Sequence, residues 1–279
     1  MKKINILAIG LIIILLILIF YIFSPRERID VEEIKLEDQN LPPAFEGFKI
    51  SQLSDFHNKA YKDEEKIANI LRDFDPDIIV ITGDLIDSRR PNYKIAYKLI
   101  KSIRDIAPIY YVSGNHEARL NYDEIIADLG KLGVTIMDQK AQLIKRGSDQ
   151  VLLMGLMDPS LVDTFYGDTS SDVISFQLDD EKFKTEDYKI LLSHRPEAFD
   201  IYKKKNINLV FSGHAHGGQY RPFLLGGLVA PDQGFFPKYT SGFYEEAGTS
   251  MLVSRGLGNS ILKFRFNNNY HIINLELTR

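Results

Sequence analysis

Five short polar segments of this chain each follow an apolar run, and together they carry side chains that could bind metal ions. They are Asp55-Phe56-His57, Gly83-Asp84-Leu85-Ile86-Asp87, Gly114-Asn115-His116-Glu117, Ser193-His194-Arg195 and Gly213-His214-Ala215-His216. Five of the six histidines fall in these segments, and only His271 does not. Carboxylate, imidazole and amide ligands in a chain without cysteine suit Mn²⁺, Fe or Zn²⁺ rather than Ca²⁺ or a soft ion.

The apolar runs before these segments predict buried strands, and helical patterns separate them. We expect strands over residues 48–53, 78–81, 109–112, 134–137, 142–144, 151–155, 189–192, 208–211, 251–254, 262–266 and 272–277, and helices over 63–74, 93–104, 123–132 and 197–204. This alternation predicts an α/β fold with parallel strands. Because ligands bind beyond the carboxyl ends of such strands, we expect the polar segments to meet at one edge.

Each segment taken alone also has an ordinary structural explanation. Asp55 could cap the turn that follows it, and Gly83-Asp84 could be a simple turn. Asn115 could adopt left-handed backbone, and His194 could be a loop histidine satisfied by its neighbours. Five such coincidences at one sheet edge are less expected than one shared site.

The donors outnumber what a single ion needs. Two ions about 3.5–4 Å apart that share a carboxylate form the arrangement that hydrolyses phosphoesters. Such a pair lowers the pKa of a bound water, so that hydroxide forms near neutral pH, and it neutralises charge on the phosphoryl oxygens. The sequence therefore predicts a metal-dependent phosphoric ester hydrolase.

In order and spacing, the five segments resemble the five motif blocks of calcineurin-like metallophosphoesterases, over about residues 45–220. The resemblance implies a four-layer α/β/β/α sandwich. The later segments Tyr239-Thr240-Ser241-Gly242 and Ser254-Arg255-Gly256-Leu257-Gly258 resemble a membrane-anchored or exported bacterial branch of the family. That branch is similar to UDP-2,3-diacylglucosamine hydrolases, which cut a lipid-linked pyrophosphate.

The resemblance also implies a role for each site residue. Two divalent ions are implied, with Mn²⁺ expected and Fe or Zn²⁺ as alternatives. The first would be held by Asp55, His57 and His216, the second by Asn115, His194 and His214, with Asp84 bridging them. His116 would protonate or stabilise the leaving oxygen, and Asp87 would orient His116 or keep it cationic. A carboxylate beside an imidazole is expected to raise the histidine pKa, which suits a general acid.

Two positions around these blocks bear on the substrate. Ser88-Arg89-Arg90 follows Asp87, where phosphoprotein phosphatases place an arginine directly, so protein-phosphatase activity is not expected. Arg195, next to His194, could reach a substrate phosphate or could be a solvated charge at the rim.

The N-terminal segment predicts a membrane anchor. Ile4–Phe23 contains only Asn5 and Tyr21 as polar residues, and as a helix it would span about 30 Å. A cleaved signal peptide is the alternative, but small residues at a cleavage site are missing. We expect an anchor over 1–23, a tether over 24–43 and a phosphoesterase domain over 44–279. The flanking basic residues favour a single pass through a bacterial cell membrane with an extracytoplasmic catalytic domain.

Three functions are consistent with these patterns. The first is a phosphodiesterase or pyrophosphatase that cleaves a lipid- or envelope-linked phosphate by attack of a metal-bound hydroxide. The second is the same chemistry on a soluble, nucleotide-type substrate, and the third is a non-catalytic metal-binding scaffold at the membrane. Residues 223–229 and Phe235-Phe236 could face lipid or pack onto the sheet edge. The net charge of −4 argues against a nucleic-acid partner.

Overall fold

Two six-stranded sheets contain most of the apolar runs identified in the sequence. They are seen in a computed structural model that describes residues 9–16, 27–162, 168–222, 226–259 and 265–279. The strands are β1 (Ile29–Glu37), β2 (Phe48–Leu53), β3 (Ile78–Thr82), β4 (Ile109–Val112), β5 (Val134–Ile136), β6 (Lys140–Arg146), β7 (Asp149–Gly155), β8 (Tyr188–Leu192), β9 (Leu209–Ser212), β10 (Val229–Ala230), β11 (Gly234–Phe235), β12 (Gly242–Glu246), β13 (Thr249–Val253) and β14 (Tyr270–Thr278). The helices used below are α1 (Lys66–Phe74), α2 (Tyr93–Ile103), α3 (Tyr122–Lys131), α4 (Ser170–Leu178) and α5 (Phe199–Lys204).

The first sheet has the strand order β1-β14-β2-β3-β4-β5. Strands β2 to β5 run parallel, β14 is antiparallel to β2, and β1 is parallel to β14. Helices α1, α2 and α3 connect the parallel strands and cover the outer face of the sheet, where Leu71, Ile100 and Ile125 pack with Ile79 and Ile81. The crossover helices allow the strands to run parallel, which aligns their carboxyl ends.

The second sheet has the order β12-β13-β9-β8-β7-β6. Its four central strands run parallel, and the edge strands β12 and β6 are antiparallel to their neighbours. Helices α4 and α5 cover its outer face, where Ile174 and Phe199 pack with Leu191 and Val210. Helices therefore lie outside both sheets, and the α/β sandwich implied by the family resemblance is confirmed.

The core between the sheets explains why the central strands are apolar throughout. In β3, Ile79 and Ile81 face the helices, whereas Ile78 and Val80 pack between the sheets. Successive side chains of a strand point to opposite faces, so a strand covered on both faces needs an unbroken apolar run.

Most predicted elements match the structure to within three residues, with one correction near the N-terminus. The predicted tether 24–43 includes β1, whose nine residues pair in register with β14. A tether over that part was therefore wrong. Ile29 and Leu36 are buried, whereas Glu33 and Lys35 are exposed. The many charged residues of this edge strand made its sequence look polar, so its apolar positions did not indicate a strand. Helix α4 was not predicted.

Some expectations fall on residues outside those described. Of Ile4–Phe23, only 9–16 are described, and they are helical with exposed leucine and isoleucine side chains. Across the described part of the chain, we find no helix with the length and apolar character needed to cross a membrane. Of the predicted strand 262–266, residues 262–264 are outside the described residues. Phe266 is described and forms an isolated β-bridge with Tyr220. Residues 223–225 are also outside it.

Candidate metal centre

The five polar segments meet where the carboxyl ends of both sheets come together. Asp55, Asp84 and Asn115 follow β2, β3 and β4 of the first sheet, and His194 and His214 follow β8 and β9 of the second. All of these side chains are buried except Asn115, which is half-buried. Parallel strands bring their carboxyl ends to one edge, so the predicted convergence is observed.

One group of donors surrounds a single point. Asp55, His57, Asp84 and His216 each place a ligand atom within 4.8 Å of the others. The Nε2 atoms of His57 and His216 are 3.2 Å apart, His216 Nε2 is 3.3 Å from Asp55 Oδ1, and His57 Nε2 is 3.6 Å from Asp84 Oδ2. Two imidazole nitrogens and two carboxylates facing one point form the donor set of a metal site.

A second group shares Asp84 with the first. Asp84, His194 and His214 also place their ligand atoms within 4.8 Å of one another. His194 Nε2 lies 3.5 Å from Asp84 Oδ2 and 3.1 Å from His214 Nδ1. Asn115 lines a cavity together with Asp84 and His214, and its buried Oδ1 has no hydrogen-bond partner. A buried amide oxygen without a partner fits a ligand position.

The backbone at these donors is unusual. Five proposed ligands have positive φ, namely Asp55 (48°), His57 (46°), Asp84 (52°), His214 (65°) and His216 (47°). Such conformations cost of order 1–3 kcal/mol each and concentrate at functional sites. Close packing contributes as well, because a methyl group at Gly114 would overlap the Asp84 carboxylate. The surrounding fold, rather than local preference, therefore holds the donors in place.

Glu117 ties two of the ligand loops together. Its buried carboxylate accepts hydrogen bonds from the backbone N–H groups of Asp84 (3.0 Å), Ile86 (3.1 Å) and Gly114 (2.9 Å). The loops after β3 and β4 are thereby fixed relative to each other. The sequence placed Glu117 in a motif but gave it no role.

Two ligand histidines are oriented through the ring nitrogen that faces away from the site. His194 Nδ1 donates to the Thr82 carbonyl at 2.7 Å. His214 Nε2 is 2.8 Å from Asp232 Oδ2. Each contact leaves the other ring nitrogen free for a metal, as is typical of metal-binding histidines. Asp232 was not identified from the sequence, because it lies in a loop without a recognised motif.

The charges of the site fit bound cations. Burial raises the pKa of Asp55, and burial together with Asp84 raises the pKa of Glu117 to about 8. Burial also lowers the pKa of His57 to about 3. For His194, burial opposes protonation, but the Asp84 carboxylate overcomes it and raises the pKa to about 10. A buried carboxylate such as Asp55 beside the neutral imidazole of His57 is an electrostatic setting that a divalent cation would satisfy, and a cation at His194 would replace the proton that Asp84 stabilises there.

His116 and Asp87 lie together as expected, but the pKa of His116 does not follow the expectation. His116 Nδ1 is 3.2 Å from Asp87 Oδ1, and it accepts the Ser88 backbone N–H at 3.0 Å. Burial lowers the pKa of His116 and outweighs the carboxylates of Asp84 and Asp87. With Nδ1 accepting from Ser88, the neutral ring carries its proton on Nε2.

The cavity above the donors has a volume of about 280 Å³. Its lining includes Asp84, His116 and three arginines, Arg89, Arg119 and Arg195. Only Arg195 is buried, at 3% exposure.

The Arg195 guanidinium is already held by acidic residues. Its Nε and Nη2 contact Asp158 at 2.6 and 2.9 Å, and it also pairs with Asp232. Arg195 is therefore neither the solvated rim charge nor the free phosphate ligand considered from the sequence. It belongs to a charged network that reaches His214 Nε2 both directly, from Arg195 Nη1 at 3.1 Å, and through Asp232.

Comparison with known proteins agrees with this geometry. The family model described as calcineurin-like phosphoesterase matches residues 48–218. The chain belongs to this family. Its relatives include the metallophosphoesterase YkuE of Bacillus subtilis, 30% identical over 85% of this chain and 82% of the relative. Another is a transmembrane protein with a metallophosphoesterase domain from Danio rerio, 25% identical over 97% of this chain but only 62% of the relative.

A solved structure shows the same fold. TT1561 of Thermus thermophilus matches with a TM-score of 0.52 and 14% identity, over 76% of this chain and 90% of the other. Together, the family and the donor geometry make this chain a metal-dependent phosphoester hydrolase. The closer resemblance to UDP-2,3-diacylglucosamine hydrolases remains a prediction.

Proposed function

We propose that this protein uses two divalent cations to hydrolyse a phosphodiester or pyrophosphate in a lipid- or envelope-linked substrate. The observation that carries the two-cation proposal is the position of Asp84 Oδ2, which lies 3.6 Å from His57 Nε2 and 3.5 Å from His194 Nε2. A carboxylate oxygen between two donor groups is the bridging ligand that a dinuclear centre requires.

The proposed ligands divide between the two cations. Asp55, His57, Asp84 and His216 would hold the first, and Asp84, Asn115, His194 and His214 the second. When bound, Mn²⁺, Fe or Zn²⁺ would supply an acidified water and neutralise charge on the phosphoryl group. The protein aligns the reacting phosphate over this pair and excludes competing solvent around the buried donors.

His116 acts on the leaving group in this proposal. Ser88 and Asp87 lie at its Nδ1 side, so the neutral ring carries its proton on Nε2 and can donate a hydrogen bond to the leaving oxygen. Full transfer of a proton requires the imidazolium form, in which Asp87 Oδ1, 3.2 Å from Nδ1, can accept the second ring proton. Asp87 then positions the ring and stabilises it as charge develops.

Three observations support a membrane setting. Ile4–Phe23 is long and apolar enough to span a bilayer as a helix, and the D. rerio relative is by name a transmembrane protein. Phe235 and Phe236 are 82% and 71% exposed, so neither ring is packed onto the sheet. They closely follow Asp232, which lines the cavity. Exposed aromatic side chains beside an active site suit contact with lipid. We place the catalytic domain outside the cytoplasm of a bacterial cell.

Hydrolysis of a substrate panel by the purified, Mn²⁺-loaded protein tests this proposal. The panel contains lipid pyrophosphates, phospholipids, nucleotides and aryl phosphodiesters. Preference for a lipid-linked substrate supports the proposal, and preference for nucleotides supports the soluble-substrate alternative. His116→Ala should lower the rate at least about a hundredfold with unchanged metal content. An unaffected rate would instead indicate a scaffold.

The lipid contact has its own test. Replacing Phe235 and Phe236 with Ser should lower activity on a vesicle-borne substrate more than activity on a soluble aryl diester. Phe176→Ser is a matched control, because this ring is equally exposed (78%) but lies on helix α4. Equal losses on both substrates in the Phe235/Phe236 variant would reject the lipid contact.

A further inference from the structure

Arg89 and Arg119 lie on the two segments that hold His116. Arg89 follows Asp87 and Ser88, which contact His116 Nδ1. Arg119 ends the short 3-10 turn Glu117–Arg119 directly after His116, and its backbone N–H donates to the His116 carbonyl at 3.1 Å. Both side chains line the cavity with His116. The proposed leaving-group acid therefore has an arginine on each adjoining segment.

These two arginines differ from Arg195 in exposure and pairing. Both are exposed, and within the described part of the chain no carboxylate forms an ion pair with either. The Arg195 charge, by contrast, is balanced by Asp158 and Asp232. In a chain with 38 acidic and 34 basic residues, two unpaired guanidinium groups at one cavity are available for an anionic ligand. Guanidinium groups bind phosphate oxygens in a bidentate manner.

We propose that Arg89 and Arg119 form a subsite for a second phosphate, on the leaving-group side of the bond that is cut. This inference rests on the proposed function and narrows its substrate class to pyrophosphate diesters. In such a substrate, the oxygen that leaves belongs to the second phosphate. When the oxygen that leaves contacts His116, the other oxygens of the second phosphate lie near the segments that carry Arg89 and Arg119.

The reaction balances without a further reactant. The oxygen of water bonds to the first phosphorus, and the bond from that phosphorus to the bridging oxygen breaks. The bonding electrons stay on the oxygen of the second phosphate, which accepts a hydrogen bond from His116 Nε2–H. The protons of the added water pass to the product phosphates or to solvent, and the products are two phosphate monoesters. The arginines stabilise the charge that develops on the departing phosphate.

Paired substrates test the subsite. Arg89→Ala, Arg119→Ala and the double variant are compared on a nucleoside diphosphate sugar, which contains a pyrophosphate diester, and on bis(p-nitrophenyl) phosphate, which carries one charge. Arg90→Ala is the matched control, because Arg90 is exposed next to Arg89 but does not line the cavity. A lipid pyrophosphate in vesicles, assayed in parallel, shows whether the second phosphate is presented by a lipid or by a soluble molecule.

Each alanine substitution should reduce kcat/KM on the pyrophosphate diester about tenfold to a hundredfold more than on the aryl diester. Lysine at either position should restore part of the loss, and Arg90→Ala should match the parent on both substrates. Equal losses on the two substrates, or no loss on the pyrophosphate, would overturn the subsite. If the parent hydrolyses none of the three substrates, the proposed function itself fails, whereas activity on the aryl diester alone rejects only the subsite.

Discussion

Removing the Asp232 carboxylate should weaken the second metal site selectively. Asp232 Oδ2 is 2.8 Å from His214 Nε2. Binding of a cation through His214 Nδ1 requires the ring proton to lie on Nε2, and Asp232 accepts that proton's hydrogen bond. In Asp232→Ala, His214 keeps its place in the chain but loses the acceptor for its Nε2–H, while the Arg195 guanidinium, itself a donor, remains 3.1 Å from Nε2.

The size of the effect follows from the contact and its exposure. A hydrogen bond to a charged acceptor contributes about 1.5–3 kcal/mol. The Asp232 side chain is 51% exposed, so solvent screening favours the lower end of this range. Since about 1.4 kcal/mol corresponds to a factor of ten, the affinity for the second cation should fall about tenfold. Losses of this order are typical when the partner of a metal-bound histidine is removed.

Metal counting at controlled free Mn²⁺ measures this directly. After equilibrium dialysis, the parent should retain two ions where Asp232→Ala retains one, because Asp55, His57 and His216 are untouched. Asp232→Asn keeps an acceptor oxygen without the charge and should show a smaller loss. Asp73→Ala removes an exposed aspartate from α1 and serves as the control. If Asp232→Ala binds both ions with the affinity of the parent, the assignment of Asp232 as a positioning residue is wrong.

Three further predictions concern buried polar groups. Glu117→Ala leaves three buried backbone N–H groups without their acceptor, so urea denaturation should show a loss of about 3 kcal/mol or more in the free energy of unfolding. Glu117→Gln should lose less. Arg195→Ala leaves the buried Asp158 carboxylate unpaired and should cost about 3–5 kcal/mol. An Arg195→Ala/Asp158→Ala double variant should recover part of this, and strict additivity would contradict the pairing. Burial raises the pKa of Asp138 from 3.8 to about 6, so the folded state binds this proton more tightly than the unfolded state. The free energy of unfolding should therefore lose about 3 kcal/mol from this group as pH rises through that interval. Asp138→Asn should lack this contribution, and identical pH profiles for variant and parent would refute it.

The site was predictable because its donors occur in short motifs after strands with strong patterns. Strands such as β3 are buried on both faces, so their sequence is apolar without interruption and their ends are easily recognised. The order of the first sheet makes β2 and β3 neighbours and so brings Asp55 and Asp84 together, whereas His194 follows β8 of the second sheet and meets them because the carboxyl ends of both sheets lie at the same edge. The convergence of these residues needed only the rule that ligands lie beyond the carboxyl ends of parallel strands.

Other features depend on contacts between distant parts of the chain. Strand β1 pairs with β14 at the far end of the sequence, and its alternating charged residues resemble a linker. Asp232 reaches His214 from a loop with no pattern of its own. For His116, the nearby Asp87 suggested a raised pKa, but the burial that lowers it is set by the complete fold. The local sequence shows which charged residues are near each other, such as Asp87 and His116. The desolvation that shifts a pKa depends on all the residues that the fold packs around the group.

The pairing of β1 with β14 has a consequence for how closely the enzyme would approach a bilayer. Only residues 24–28 separate the apolar run from Ile29, the first residue of β1 in register with β14. At full extension these residues reach about 17 Å. If the apolar run lies in a membrane as proposed, this short linker holds the catalytic domain close to the bilayer and attaches it through β1. The range of orientations of the domain at the membrane surface would then be narrow. A lipid-linked substrate would have to move only a small distance out of the bilayer to reach the metal centre.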